Sequence, residues 1–171
     1  KRQGGNDAGL VQLMPGVKSY SDWTEITLPF TSRGGNTYGF FFSQYNAAAS
    51  IYIDNFKVLD ASGNDMLEGA GSFCTEGTGE ETNKMQQPYD GETEDYWYRT
   101  WLSGADTSVR FIEIAESGCN DNGSLHIVNK PAEKQGDMRV GFKKTIPAGA
   151  YTLQFNIKGS LKLADQQFYF K

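Results

Sequence analysis

Two aromatic segments hold the side chains best suited to chemistry in this sequence. In an extended strand, Tyr96-Trp-Tyr-Arg-Thr-Trp101 puts Trp97, Arg99 and Trp101 on one face and Tyr96, Tyr98 and Thr100 on the other. Thr37–Gln44 likewise sets Tyr38, Phe40, Phe42 and Gln44 against Phe41 and Ser43, with Tyr45 just beyond. Flat apolar rings can cover the C–H faces of a pyranose while guanidinium and amide groups pair with its hydroxyls, so both segments suit sugar recognition. One face of each strand has to be core, and the sequence leaves both assignments open.

Covalent chemistry has less to draw on. The chain has one histidine, His126, so any triad or histidine-rich metal site is built around it alone. It sits mid-strand in Ser-Leu-His-Ile-Val, with Leu125 and Ile127 on the opposite face, and reads as a satisfied or surface strand histidine. Ser62-Gly, Ser103-Gly and Ser117-Gly lack the context of a nucleophile elbow. Carboxylates are plentiful, but no Asp/Glu pair stands out on facing strands, as a glycosidase requires. The chain is therefore expected not to be an enzyme. Cys74 and Cys119 form no CxxC pair; they are either two thiols or, in an exported protein, a disulfide.

These residues need strands to position them, and the sequence supplies strands throughout. Its 171 residues suit one domain, and a composition 38% hydrophobic and 13% aromatic is enough to build a core. Apolar residues alternate with a period near two over 23–30, 37–44, 51–59, 109–115, 124–129, 138–145, 151–158 and 166–170. The breaks fall at turn residues such as Ser32-Arg-Gly-Gly-Asn36, Asp121-Asn-Gly123 and Pro147-Ala-Gly149. Ile51, Ile53 and Asn55 are expected on one face, Tyr52, Asp54 and Phe56 on the other. No helical stripe persists beyond two turns, so the expected fold is an all-β sandwich. Residues 60–71 read as a linker or long loop. Residues 76–95, with seven acidic side chains and one lysine, read as an exposed loop.

A net charge of −5 argues against a nucleic-acid partner. No apolar run approaches the roughly 18–20 residues of a membrane span. The start carries no signal-peptide pattern, which is expected of a mature, trimmed or partial chain.

Asp22-Trp-Thr-Glu-Ile-Thr-Leu-Pro-Phe30, followed by Ile51-Tyr-Ile-Asp-Asn-Phe-Lys-Val58, resembles the closing strands of the jelly-roll, galactose-binding-like carbohydrate-binding modules that accompany bacterial xylanases and β-glucanases. Gly71-Ser-Phe73, Asn122-Gly-Ser-Leu-His-Ile-Val128 and Ile146-Pro-Ala-Gly-Ala-Tyr-Thr-Leu-Gln-Phe-Asn-Ile-Lys158 resemble the opening of the same module. The order is inverted: residues 10–60 match the closing half and 71–171 the opening half. A circular permutant accounts for this, with 60–71 joining the ancestral ends. So does a cut across two tandem modules, whose half-domains would leave open edges. One complete permuted sandwich over 1–171 is the favoured expectation.

The resemblance implies non-catalytic binding of a β-linked plant polysaccharide, with xylan first and mixed-linkage β-glucan second. It also implies an attached glycoside hydrolase, a secreted or cell-surface bacterial location and a monomer. By position, Phe40 or Phe42 with Gln44 match the family's aromatic and polar pair, and Trp97, Arg99 and Trp101 join them as ligand candidates. Trp23 is expected in the core. The family's stacking Trp before the strand matching Met138–Phe142 is absent here. Gln135, Asp137 and Arg139 stand there as hydrogen-bonding groups instead. Asp54 matches a position that helps hold a structural Ca²⁺, with Glu76 near the family's first-strand glutamate. The alternative, from another class, is a structural or adhesive sandwich domain with no glycan site.

Overall fold

The computed structural model describes residues 11–12, 19–42, 49–73, 85–86, 97–101, 110–129, 138–161 and 168–170, with side chains over 19–34, 50–73, 113–128 and 144–160. Its strands are β1 (Val11–Gln12), β2 (Ser19–Phe42), β3 (Ala49–Leu59), β4 (Met85–Gln86), β5 (Trp97–Trp101), β6 (Arg110–Ala115), β7 (Ser124–Asn129), β8 (Met138–Leu161) and β9 (Phe168–Phe170). A 3₁₀ turn at Ala70–Ser72 is the one helical element among the described residues. The fold is an all-β sandwich.

Its spine is an antiparallel pair of 24-residue strands, β2 and β8, paired from Ser19 opposite Ser160 to Phe42 opposite Met138, with register shifts between Tyr20 and Thr24 and between Gly35 and Thr37. The other edge of β8 takes β3 along 152–161 and β5 along 138–142. From β3 the sheet continues to β7 and β6, while β2 takes β9 at its far end, followed by β1. The spine therefore serves two sheet regions, β2-β8-β3-β7-β6 and β1-β9-β2-β8-β5-β4.

The continuity of the spine corrects two expected turns. The breakers at 32–36 and 147–149 lie opposite each other, with Ser32 facing Gly149 and Arg33 facing Ala148. Two breakers in one rung pair distort a ladder together without ending it. Gly34 takes φ +85°, where a side chain is strained, and the register slips between Gly35 and Thr37. Buried Ser32 ties the site together: its Oγ donates to Ile146 O at 3.3 Å and accepts from Gly34 N at 2.9 Å. Buried positions on β8 change from odd (Leu153, Phe155, Ile157) to even (Ile146) across this stretch.

The core joins Ile51, Ile53, Phe56 and Val58 of β3 to Leu125, Ile127, Leu153, Phe155 and Ile157, with Phe56 and Phe155 ring centroids 5.8 Å apart. Phe56 was expected opposite Ile51 and Ile53. An extra residue in β3 at Asp54–Lys57, with Asn55 at φ +49°, reverses the parity and buries all four apolar residues. Residues 60–71 are a packed turn and not a loose linker. Asp60 accepts from Ser62 N, Asn64 N and Asn64 Nδ2, which holds its carboxyl below the usual range. Leu67 and Ala70 are buried.

Candidate functional site

Register decides which candidate positions meet. Trp97 lies opposite Phe142, which lies opposite Tyr38; Arg99, Val140 and Phe40 form the next row, and Trp101, Met138 and Phe42 the third. Phe170 and Phe168 of β9 extend the last two rows from the β2 side. Direct cross-strand partners share a sheet face, so Trp97, Arg99, Trp101, Tyr38, Phe40 and Phe42 occupy one face of β5-β8-β2. Arg139 belongs to the other face, in a row running Thr100, Arg139, Phe41, Tyr169. The neighbouring row on that face is Tyr98, Gly141, Gly39. Gln44, Tyr45, Gln135, Asp137 and Glu76 lie outside the described residues, as do Tyr96 and Cys74.

A second convergence forms where β3 meets the 117–123 turn. Asp54 is wholly buried, and its carboxylate accepts from Asn55 N and Cys119 N, each at 2.6 Å. Burial, with a smaller push from neighbouring Asp121, raises its pKa to about 6 against the pull of those two donors. Asp121 Oδ1 is itself buried without a hydrogen-bond partner. A Cβ on Gly118 would collide with Gly123 O and Asp121 Oδ1 and would lie 2.7 Å from Asp54 Oδ2. Two carboxylates and a backbone carbonyl thus turn oxygen toward one side of Gly118, a hard donor set that suits Ca²⁺. Ca²⁺ takes roughly six to eight oxygens, of which Asp54, Asp121 and the Gly123 carbonyl would supply three. Sequence reading took Asp121-Asn-Gly123 only as a turn signal.

Cys119 is a free thiol whose pKa is raised by burial and by the charges of Asp54 and Asp121.

Trp23 is half-buried and not part of the core cluster, contrary to expectation. Its ring meets Tyr52 edge-on, with centroids 6.4 Å apart. Tyr52 and Glu113 both lie opposite His126 in register, which puts all three on the outer face of β3-β7-β6. Tyr52 stacks on the imidazole at 4.1 Å and 3°. Glu113 Oε1 lies 3.0 Å from Nδ1, and Ser50 Oγ lies 3.4 Å from Nε2. The sequence marks His126 as an outward strand residue and gives no sign of its two polar partners.

No family model, no curated protein and no solved structure matches the chain.

Proposed function

We propose that this chain is a module that binds, without cleaving it, a β-linked plant polysaccharide, xylan first and mixed-linkage β-glucan second. It would hold an attached glycoside hydrolase to that substrate outside the cell. The observation that carries this is the cross-strand register, which gathers the sequence's two aromatic segments onto three adjoining strands.

The two faces of that region differ in kind. The Trp97, Trp101, Phe40 and Phe42 face is apolar at most positions, with Arg99 and Tyr38 the exceptions, and an apolar patch is more stable packed than wet. The other face mixes Phe41, Tyr98 and Tyr169 with Arg139, Thr100, Thr37 and Lys143 around the facing glycines Gly39 and Gly141. Gly39 and Gly141 lie opposite each other in register, and the rows beside them hold residue types that can stack on a sugar and bond its hydroxyls. We assign the glycan to this second face and the first to packing. The acidic 76–95 segment favours a neutral polymer over a uronate-rich one.

A Ca²⁺ held by Asp54 and Asp121 would have a structural role. It neutralises two carboxylates that burial otherwise penalises and pins the 117–123 turn to β3.

Affinity electrophoresis of the chain through gels with xylan, β-glucan or no polymer tests the binding. Retardation by either β-glycan is expected. A folded chain that runs unretarded in both gels would instead favour a structural or adhesive domain.

A further inference from the structure

A third cluster stands apart from both the aromatic sheet region and the carboxylate pair, on the outer face of β3-β7-β6. Glu113 can only accept at Nδ1 of His126, so that nitrogen carries the proton and donates. In the neutral imidazole the lone pair is then left on Nε2, the nitrogen nearest the Ser50 hydroxyl, which can donate to it across 3.4 Å. The stacked Tyr52 ring and the strand register keep the imidazole in this orientation. A hydroxyl on a base that is itself oriented by a carboxylate is the arrangement that activates a serine, and such contacts are often loose before substrate binds. Ser50 is exposed, whereas the His126 side chain is only 12% exposed, so the nucleophile is open and its base is sheltered.

We propose that Ser50, His126 and Glu113 form an acyl-transfer site for small, solvent-accessible carboxylic esters of acetyl size. Ser50 Oγ bonds to the ester carbonyl carbon while its proton passes to His126 Nε2. Collapse breaks the carbon–oxygen bond to the alcohol, which leaves with that proton. Water then attacks the acyl-serine by the same route, releasing the carboxylic acid and restoring the serine. Glu113 is a positioning residue. Lys158, exposed and opposite Tyr52 in register, lies diagonal to Ser50 on this face and supplies positive charge near the carbonyl oxygen. Ser50 is exposed on the sheet face, which suits a small acyl group that needs no deep pocket. The activity is independent of the glycan reading.

The test is labelling of the intact chain by diisopropyl fluorophosphate, located by peptide mass spectrometry, beside hydrolysis of p-nitrophenyl acetate. A phosphoryl adduct is expected at Ser50 and not at exposed Ser62. Hydrolysis is expected to fall about a hundredfold in Ser50→Ala and His126→Gln. Glu113→Gln, which keeps an acceptor, should retain more rate than Glu113→Ala. These side chains face outward, and Ser50→Ala should leave polysaccharide retardation unchanged. An adduct absent from Ser50, or hydrolysis unaltered in Ser50→Ala, would overturn the proposal; the latter would make His126 alone the nucleophile.

Discussion

Asp54 accepts a hydrogen bond from the Cys119 amide at 2.6 Å, joining β3 to the 117–123 turn across 65 positions of sequence. The bond brings a wholly buried carboxylate against Asp121 and sets the electrostatics of that end of the sandwich.

Stability without divalent cations should fall as pH rises. The folded-state pKa of Asp54 is about 6, raised from 3.8 chiefly by burial, so the folded state holds its proton more tightly than the unfolded chain does. That contribution is complete below about pH 4 and lost as pH passes through 6, a full swing on the order of 3 kcal/mol. Urea titrations at pH 4.5 and 7.5 in chelator should give the higher midpoint at the lower pH. Millimolar Ca²⁺ should recover the loss at pH 7.5, and Asp121→Asn should abolish most of that recovery.

Gly118→Ala should be costly. Its Cβ would run into Gly123 O and the two carboxylates, whereas a Cβ on Gly149 meets only Tyr151 ring atoms at 3.6 Å or beyond. Denaturant unfolding should show a loss of roughly 3 kcal/mol or more for Gly118→Ala and under about 1 kcal/mol for Gly149→Ala.

Ser32→Ala removes the donor to Ile146 O and the acceptor for Gly34 N at a buried position. The expected cost is about 1–3 kcal/mol in the same assay.

Cys119 should alkylate slowly. Its thiol pKa is raised by burial, then by Asp54 and Asp121, so little thiolate forms at neutral pH. Iodoacetamide at pH 7.5 should modify native Cys119 at least several-fold more slowly than the unfolded chain.

The strands were legible in the sequence because alternation survives wherever one face is buried; Ser124–Asn129 appears where its pattern places it. Three features were not. Facing breakers read as two turns because their pairing, Ser32 with Gly149, is a tertiary fact. The Asn55 bulge reversed the faces of β3 because one inserted residue is invisible to a period of two. Asp121 and Ser50 were missed because each gains its partner from a strand remote in sequence, Asp54 and His126 respectively. Trp23 misled through its size, since a large ring suggests core even where Tyr52 offers it a surface contact.

Glycan binding itself is best tested by calorimetric titration of xylohexaose into the chain and into Phe41→Ala, Tyr98→Ala and Trp97→Ala. The second-face assignment predicts micromolar-to-millimolar binding that falls about tenfold or more in Phe41→Ala and Tyr98→Ala, while Trp97→Ala chiefly lowers stability. Binding lost in folded Trp97→Ala but kept in the other two would contradict that assignment, and a folded wild-type chain without heat from xylohexaose or a β-glucan oligosaccharide would contradict the function.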